Sequence, residues 1–428
     1  KMILLYRILT TFFYPIFVLI IFYRKLIKKE DQKRYKEKIF FKNFNIKRKK
    51  DSRLIWFHAA SIGELKSILP IIKILNQTQN SLEFLITTTT LSSANLAKDE
   101  LKKFDNMHHR FIPIDSPFLI KKFLYSWKPD TIFLVDSEIW PNLILEAKKN
   151  KISISIINAR ITKKTFKRWM LIPNTAKYIF SLFDLCLSSS EETSNFLNKL
   201  NAKNVKYLGN IKFITDIDRS IPNNNEEEAF EKYKFWLAAS THGSEELFCI
   251  KTHLLLKEKI KNLITIIAPR HINRVDKVEK LCNKFNLSSQ IVKKNDPIAK
   301  NKEIIIINSY GNLPRFLSLS KSVFMGKSTI ESLKSVGGQS PIEAAKFGCK
   351  IYHGPFVYNF KEIYEILNKI KVCYEIRNPD ELAMRLSSDL KDDKNNNKEF
   401  LVLIKDLERK TLNETMNSIN KFLFNENK

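Results

Sequence analysis

Two series of short apolar runs restrict the fold of this chain more than any other feature of its sequence. Turn-forming residues bound the runs and helix-length stretches separate them, which is typical of buried parallel strands in βα units. The runs are Leu54–Ala59, Phe84–Thr89, Thr131–Asp136 and Ile152–Ile157, then Lys234–Ser240, Leu263–Pro269, Glu303–Asn308, Ser322–Gly326 and Cys349–Gly354. A chain of 428 residues also exceeds one ordinary core. We therefore predict an α/β protein with two doubly wound domains that face each other across a cleft.

A polar break separates the two series of runs. The segment Asp216–Glu228 contains the string IPNNNEEE, a composition that is typical of a linker. We predict a first domain over residues 26–215, a linker over 216–233 and a second domain over 234–428. The last stretch of the second domain, from Glu399 to about Phe422, is expected to be helical.

The amino-terminal residues 1–25 predict a membrane anchor. Met2–Tyr23 is apolar apart from Arg7 and a few Thr and Tyr residues, and a helix of roughly 20 apolar residues spans the hydrocarbon core. Arg7 is expected to reach the interface from one end of this helix, and Pro15 can kink it. Lys and Arg are frequent over residues 24–38, which places the rest of the chain on the cytoplasmic side and attracts anionic lipid. The alternative is a helix that lies in the membrane interface.

The net charge of +28, from 73 Lys and Arg against 45 Asp and Glu, favours an anionic partner. Nucleic acid, a phosphorylated sugar and an anionic membrane all fit that description. A compositional origin is equally open, because the sequence is rich in Lys, Asn, Ile and Phe, which AT-rich coding DNA favours. A nucleic-acid-binding protein would not explain acids and glycines at strand ends, and the sequence has no DNA- or RNA-binding motif. We therefore expect no nucleic-acid partner.

The cysteines and histidines predict neither disulfides nor a metal site. The cysteine count is five, with no C-x-x-C pair, and the seven histidines include no H-E-x-x-H string. An odd count without paired spacing suits a reducing cytosol. We expect no metal and no cofactor.

In the first series, polar strings follow the strands at the end where ligands bind in such sheets. HAASIGE ends at Glu64, which is either a capping residue at a helix start or a general base. LVDSEIWPN carries Asp136 and Glu138, where Asp136 is equally well explained as a helix cap. INAR, at another strand end, brings Arg160, and YLGNIKF places Lys212 just ahead of the predicted linker. Taken singly, each would be read as a surface charge.

The second series has three such strings. AASTHGSEE includes His242, and its Ser, Thr and Gly residues suit anion binding at a helix start, with a capping box as the alternative. APRHINR places Arg270 and His271 at a strand end, which suits phosphate recognition. In SVGGQSPIEAA the two glycines permit close backbone approach to a phosphate, and Glu343 is positioned to accept from a ribose hydroxyl.

In this order and spacing the strings HAASIGE, SEIWPN, INAR, GNIKF, ASTHGSEE, APRH and GGQSPIEAA, followed by HGPFVYNF, resemble the 3-deoxy-D-manno-octulosonic acid (Kdo) transferases. The resemblance runs from the N-terminal segment to about Ile366. It implies a GT-B glycosyltransferase fold with two Rossmann-like domains, the second of which holds the nucleotide-sugar. It further implies an inverting, metal-independent transfer of Kdo from CMP-Kdo to a tetraacylated lipid A precursor, at the cytoplasmic face of a bacterial inner membrane, as a step of lipopolysaccharide biosynthesis. Its expected partners are CMP-Kdo, the lipid A precursor and membrane lipids.

The resemblance also implies roles for individual residues. Glu64 matches the catalytic carboxylate of the S-x-G-E motif, and it would act as the base for the acceptor hydroxyl. The other catalytic positions implied are Glu138, Lys212 and His242. The donor-binding positions implied are Arg270, His271, Gly326, Gly337, Gly338, Ser340, Glu343 and Asn359. The positions implied for contacts with the acceptor or the sugar carboxylate are Ser61, Gly63, Asn158 and Arg160.

Three departures from the family pattern lie mostly on the donor side. Gln339 and Ser340 stand where the family usually has His and Asn, Asp136-Ser137-Glu138 replaces a frequent E-T-E, and Asn312 replaces the Glu of a G-E-L string. Two further functions therefore stay open. One is a membrane-associated GT-B transferase that uses a UDP-sugar on a lipid carrier, and the other is an inactive scaffold. The presence of the four residues Glu64, Lys212, His242 and Arg270 argues against the scaffold.

Overall fold

The computed structural model describes residues 2–41, 52–79, 81–217, 233–293, 296–299, 301–309, 311–391 and 397–424. The chain divides into two compact units. Unit 1 comprises residues 1–216 and 408–428, and unit 2 comprises residues 217–407. Most of the predicted linker, residues 218–232, lies outside the described residues.

Unit 1 is built on a seven-stranded parallel sheet in the order β3-β2-β1-β4-β5-β6-β7. The strands are β1 Arg53–His58, β2 Leu82–Thr88, β3 Met107–Phe111, β4 Thr131–Val135, β5 Ser153–Ala159, β6 Leu185–Ser188 and β7 Val205–Tyr207. The helices that precede and connect them are α1 Met2–Phe12, α2 Tyr14–Leu26, α3 Ile62–Thr78, α4 Leu91–Leu101, α5 Pro117–Trp127, α6 Pro141–Lys149, α7 Lys163–Trp169, α8 Pro173–Ser181 and α9 Glu191–Lys199. Short 3-10 helices cover Arg34–Lys38 and Ile211–Ile214.

Helices cover both faces of this sheet, which explains why the strands read as unbroken apolar runs. In β1, Leu54 and Trp56 belong to one buried cluster, whereas Ile55 and Phe57 belong to another. Successive side chains of a strand point to opposite faces, so both faces need apolar residues when both are covered.

Unit 2 has the same construction. Its seven-stranded parallel sheet has the order β10-β11-β9-β8-β12-β13-β14. The strands are β8 Lys234–Thr241, β9 Leu263–Pro269, β10 Ser289–Val292, β11 Ile304–Ile307, β12 Ser322–Met325, β13 Lys350–His353 and β14 Cys373–Glu375. The helices are α10 Glu245–Lys257, α11 Val275–Lys284, α12 Leu313–Leu319, α13 Ile342–Lys346, α14 Lys361–Lys369, α15 Pro379–Lys391 and α16 Asn397–Phe424, and 3-10 helices cover Ile272–Arg274, Glu331–Leu333 and Tyr358–Phe360.

Each sheet contains one point at which the strand order reverses. In unit 1 it lies between β1 and β4, and in unit 2 between β8 and β12. Connections leave in opposite directions from such a pair of strands, which opens a crevice at their carboxyl ends where ligands of doubly wound sheets bind. The predicted α/β class with two doubly wound domains is confirmed.

The amino-terminal segment differs from the single helix that the sequence predicts. It forms α1 and α2, bent by 52° at Phe13, and the described residues contain no single helix that is long and apolar enough to cross a membrane, although the bent pair meets that length and composition. Pro15 lies in the first turn of α2 and has no N–H to donate to the preceding turn. The expected position of Arg7 is wrong, because its guanidinium pairs with the buried Glu146 of α6 at 2.7 Å.

The final helix also differs from the prediction. It is helical, as expected, but residues 408–428 belong to unit 1 and not to the second domain. Its buried residues Ile419, Phe422 and Leu423 join the same apolar cluster as Phe133 of β4. The apolar face of α16 is therefore the reason for its position, since it covers part of the unit 1 sheet.

Candidate active site

Glu64 lies in the first turn of α3, directly beyond the carboxyl end of β1. The side chain of Ser61 caps the helix and accepts a hydrogen bond from the Glu64 amide at 3.3 Å. In return, the Glu64 carboxylate accepts from the Ala60 amide at 2.8 Å and from the Ser61 hydroxyl at 2.7 Å. This reciprocal capping box fixes the side chain at the crevice between β1 and β4.

The environment of Glu64 favours its protonated form. Burial raises the pKa of its carboxyl group above the usual value, and the negative charges of Asp136 and Glu138 raise it further, against the hydrogen bonds from Ser61 and Ala60. A carboxylate with a raised pKa is better suited to accept a proton near neutral pH than an ordinary surface glutamate.

Asp136 and Lys212 form an ion pair beside Glu64. The Lys212 ammonium lies 2.6 Å from Asp136 Oδ2, and the Asp136 side chain is almost fully buried. Asp136 directly follows β4 and has a φ of 63°, a left-handed conformation that is uncommon for residues other than glycine. Lys212 was predicted as a site residue, whereas for Asp136 a ligand-binding position and a helix cap were equally open. Its position after the strand was the available signal, whereas the ion pair depends on a contact between distant parts of the chain.

Glu138 contacts two aromatic side chains. Its carboxylate accepts from Trp140 Nε1 at 2.7 Å and lies 3.5 Å from Nε2 of the buried His58. The other ring nitrogen of His58 lies 2.9 Å from the Thr87 hydroxyl. Burial alone would raise the pKa of Glu138, but the hydrogen bonds and charge of His58, together with the Trp140 indole, lower it. Two neighbouring glutamates thus have pKa values shifted in opposite directions, an arrangement typical of divided acid–base roles.

The remaining predicted positions of unit 1 lie around these carboxylates. Asn158, the penultimate residue of β5, has a φ of 52°, and its Oδ1 accepts from the Ile211 amide at 3.0 Å. Its Nδ2 is buried and has no partner among the described residues. The Arg160 amide donates to the Asp136 carbonyl at 3.1 Å. A Cβ built on Gly63 would meet no described atom within 4 Å, so open space lies beside the first turn of α3.

In unit 2, His242 follows β8 at the corresponding crevice between β8 and β12. Its Nδ1 lies 3.1 Å from the Ser240 carbonyl, and its ring makes an edge contact with the exposed ring of His271 at 5.6 Å between centroids. Burial lowers the pKa of His242 below its usual value, against the Ser240 hydrogen bond and the charge of Glu245, which raise it, so the imidazole is neutral near pH 7. Arg270 is exposed, and its guanidinium has no hydrogen-bond or ion-pair partner among the residues that the structure describes.

Two acidic residues of the string ASTHGSEE, neither of them a predicted site residue, organise this region. The fully buried Glu245 carboxylate accepts from the amides of His242 and Lys327 at 3.0 and 2.6 Å. Glu246 pairs with Arg274 through two hydrogen bonds of 3.0 Å. The spacing of a capping box was the signal for Glu245, but its contact with residues after β12 is not readable from the sequence.

The predicted donor-binding glycines have a structural explanation of their own. A Cβ on Gly326 would lie 2.5 Å from the Ser240 carbonyl, and one on Gly337 would lie 2.3 Å from the Phe356 carbonyl. The Gly338 amide donates to the Lys327 carbonyl at 2.6 Å. This amide therefore has a backbone partner in the structure, and the role of the two glycines in binding the donor stays a prediction.

Three further predicted donor positions surround the same loop. Asn359 donates from its amide to the Gly337 carbonyl at 2.9 Å and from Nδ2 to the Val336 carbonyl at 2.8 Å, so it fixes this loop. Ser340 is exposed and Glu343 is partly buried. The predicted roles of Ser340, Glu343 and Asn359 in binding the donor stay predictions.

Within the described ranges, no group of three or more His, Cys, Asp or Glu residues is arranged to hold a metal ion. The five cysteines are buried thiols.

Comparisons with known proteins agree with the strings noted in the sequence. The family model for 3-deoxy-D-manno-octulosonic-acid transferase (kdotransferase) matches residues 33–215. A 3-deoxy-D-manno-octulosonic acid transferase of Rickettsia bellii is 31% identical over 432 residues, which cover 98% of this chain and 99% of the relative. One of Haemophilus influenzae is 27% identical over 75% of each chain. The crystal structure of a glycosyltransferase from Rickettsia africae has a TM-score of 0.58 at 12% identity, and the match covers 88% of this chain and all of that one, which shows the fold alone.

Proposed function

Since this chain belongs to the Kdo transferase family, a family of glycosyltransferases, we propose that it moves Kdo from CMP-Kdo to a tetraacylated lipid A precursor with inversion at the anomeric carbon. The observation that carries the proposal is the position of Glu64. Its carboxylate is held by a capping box at the strand-order reversal of unit 1, beside Asp136 and Glu138, and open space lies next to it at Gly63.

The reaction requires one proton transfer and one displacement. In our proposal Glu64 accepts the proton of the acceptor hydroxyl while that oxygen forms a bond to the anomeric carbon of Kdo. The bond between this carbon and the phosphate oxygen breaks, and CMP leaves with the electron pair. A positioned general base contributes about 10²–10⁴-fold to such a rate.

Cationic groups would stabilise the charges of the substrates. Lys212 is partly exposed and its ammonium group pairs with Asp136. An ammonium group has three donors, so Lys212 can contact the Kdo carboxylate or an acceptor phosphate while its ion pair with the buried Asp136 stays in place. Arg270 directly follows β9, and its guanidinium has no partner among the described residues. We assign it to the phosphate of CMP. The neutral imidazole of His242 would donate or accept a hydrogen bond there. Developing charge on the leaving phosphate is met by such preorganised groups.

We further propose that the enzyme works at the cytoplasmic face of the bacterial inner membrane. The exposed residues of α1 and α2 are largely apolar: Leu4, Ile8, Phe12, Leu19 and Leu26 are each more than half exposed. Lys and Arg residues follow α2 over residues 28–38. An apolar face next to basic residues binds to anionic membrane interfaces, where a phosphorylated lipid acceptor resides.

The test is a transfer assay with CMP-Kdo and the tetraacyl precursor, in which mass spectrometry measures the mass of the acceptor. We expect a gain of one or more Kdo units with the wild-type protein and none with Glu64→Gln. Glu381→Gln is a matched control, because Glu381 forms the same kind of capping box at the start of α15. The Glu381 carboxylate accepts from the Arg377 amide at 3.0 Å, and the Asn378 side chain accepts from the Glu381 amide at 2.8 Å. This variant should retain activity.

A folded wild-type protein that transfers nothing from CMP-Kdo would contradict the proposal. Equal losses in Glu64→Gln and Glu381→Gln would contradict the role of Glu64, because capping alone would then account for both. Titrations with CMP and UDP distinguish the proposed donor from a UDP-sugar.

A further inference from the structure

We propose that Glu245 is a positioning residue for the nucleotide: its carboxylate joins the two loops at the strand-order reversal of unit 2 into one rigid binding edge. The proposal rests on the proposed function, since it assumes that unit 2 binds the nucleotide of the donor. No contact of Glu245 with the nucleotide is required.

Five hydrogen bonds converge on this one carboxylate. Oε2 accepts from the amides of His242 at 3.0 Å and Lys327 at 2.6 Å. Oε1 accepts from the Ser328 amide at 2.9 Å, and from the Thr329 amide at 3.1 Å and hydroxyl at 2.9 Å. One oxygen thus links the loop after β8 with the loop after β12, and the other accepts three bonds from the loop after β12 alone.

The two loops need such a link because their backbones are unusual and in close contact. Ser240, at an irregularity near the end of β8, and Lys327 have φ values of 56° and 58°, left-handed conformations that persist only where surrounding contacts hold them. Gly326 packs against the Ser240 carbonyl so closely that a Cβ would lie 2.5 Å from it. The crevice between such strands is where doubly wound sheets bind nucleotides.

The geometry of these loops matters for binding because Glu245 itself is fully buried and cannot contact a ligand. Its hydrogen bonds instead set the positions of residues 327–329 and of His242, which is a predicted site residue. Groups that bind a ligand lose hydrogen bonds to it when the loops that carry them are displaced. We therefore expect Glu245 to act on donor affinity through the loops.

Asp389 provides a matched control at the other end of the same sheet. Its largely buried carboxylate accepts from the Ser322 hydroxyl, the Lys350 ammonium and the Tyr352 hydroxyl at 2.8, 2.7 and 2.6 Å. Ser322 and Lys350 are the first residues of β12 and β13, so Asp389 lies at the amino ends of these strands. Asp389→Asn removes a buried charged acceptor from unit 2 without changing the loops at the carboxyl ends.

The experiment measures CMP and UDP binding by calorimetry, together with the melting temperature, for the full-length wild type, Glu245→Gln and Asp389→Asn. A carboxamide has one acceptor oxygen and presents N–H groups to the other donors. We expect Glu245→Gln to weaken CMP binding by about 10- to 100-fold, with the KM for CMP-Kdo raised and the KM for the acceptor unchanged. Asp389→Asn should lower the melting temperature and leave CMP binding as in the wild type.

A milder pair of variants covers the case in which Glu245→Gln does not fold. Thr329→Val removes one donor to Glu245 and should weaken CMP binding by about three- to tenfold, whereas Thr329→Ser keeps the hydroxyl and should bind as the wild type does. Wild-type CMP affinity in a folded Glu245→Gln or in Thr329→Val overturns the proposal, as does an equal loss in Asp389→Asn. A wild type that binds UDP and not CMP contradicts the proposed donor instead, and the Glu245 comparison is then read with UDP.

Discussion

Glu64 combines two functions in one carboxylate. Its hydrogen bonds to the Ala60 amide and the Ser61 hydroxyl cap α3 and orient the side chain. A carboxylate has about four lone-pair positions, so two remain for the proton of a substrate. The choice between capping residue and general base, which the sequence leaves open, is therefore not exclusive, because capping is what positions the proposed base.

The raised pKa of Glu64 predicts the acid side of the pH profile. A general base must be ionised, so kcat/KM should fall as the pH decreases through a pKa above the usual glutamate value of about 4.3. Asp136→Asn removes a negative charge beside Glu64 and leaves the Lys212 cation without its partner. Both changes favour the ionised form of Glu64, so the acid limb should shift to lower pH.

The pH dependence of kcat/KM for the wild type, Asp136→Asn and the control Glu381→Gln tests this. Only the position of the limb is compared, because Asp136→Asn also changes the maximal rate. An acid limb that stays in place or moves to higher pH in Asp136→Asn would show that another group controls it.

The open space at Gly63 predicts a separation of stability from activity. Gly63→Ala should not destabilise the protein, and can stabilise it by up to about 1 kcal/mol, because glycine is a poor helix former and a Cβ would meet no described atom. Gly63→Leu should fold as well but raise the KM for the acceptor, since its side chain would occupy the space that we assign to this substrate.

Thermal melts and acceptor kinetics provide the measurements for these Gly63 variants. Gly337→Ala is the contrasting variant, because its Cβ would lie 2.3 Å from the Phe356 carbonyl and should lower the melting temperature. Unchanged acceptor kinetics in Gly63→Leu would exclude the acceptor from this space.

The candidate site was predictable where chemistry and strand ends coincide in the sequence. Glu64 and Glu138 are polar residues after predicted strands, and Lys212 lies just ahead of the predicted linker. The structure places all three around one crevice of unit 1, although their roles stay predictions. Partners were not predictable in the same way. The contacts of Glu245 with residues 327–329 and of His58 with Glu138 join parts of the chain that are distant in sequence, and no local pattern encodes them.

At the scale of elements, the apolar runs predicted strands well because burial on both faces leaves little choice of residue. The amino-terminal helices show where that logic fails. Hydropathy treats Arg7 as a polar interruption of an apolar segment, whereas in the structure three polar residues fix α1 to the protein. Tyr6 donates to Asp115 at 2.9 Å, Arg7 pairs with Glu146, and Thr10 accepts from Asn142 at 3.1 Å.

Substitutions on the two faces of α1 should therefore have different effects. Phe12→Asp, at a residue that is 73% exposed, should weaken binding to vesicles of phosphatidylcholine and phosphatidylglycerol without lowering the melting temperature. Arg7→Ala leaves the buried Glu146 without its ion-pair partner, which costs about 3–5 kcal/mol for buried pairs and less here because Arg7 is partly exposed.

Vesicle flotation and thermal melts separate these effects. Deletion of the whole segment would combine them, since it removes contacts of both kinds. Undiminished vesicle binding by Phe12→Asp would contradict a membrane-facing role for this surface.

At the scale of the whole molecule, unit 2 is an insertion in unit 1. The chain leaves unit 1 after residue 216 and returns at residue 408. The returning helix contributes Phe422, which is 7% exposed and packs edge-on against Phe133 with 5.8 Å between ring centroids. The sequence predicted this helix but not its partner, because an amphipathic pattern does not state which surface it covers.

Phe422→Ala should therefore destabilise unit 1 although it lies far along the chain from the unit 1 strands. Large-to-small changes at buried phenylalanines cost about 3–5 kcal/mol. Hydrogen exchange should show lower protection of the unit 1 amides and unchanged protection of unit 2. Asn417→Ala, at an exposed position of α16, is the control and should change stability by less than about 0.5 kcal/mol. Lost protection confined to unit 2 would contradict this assignment of the helix.

The insertion also fixes an order of events during synthesis on the ribosome. Phe133 emerges early, but the side chains that cover it, from Met416 to Leu423, are translated only after all of unit 2. Until then the part of the unit 1 sheet that this helix covers stays exposed in the nascent chain, while the second unit already has its complete set of strands and can fold first. Unit 2 is translated after most of unit 1, but it can complete its fold before unit 1 does.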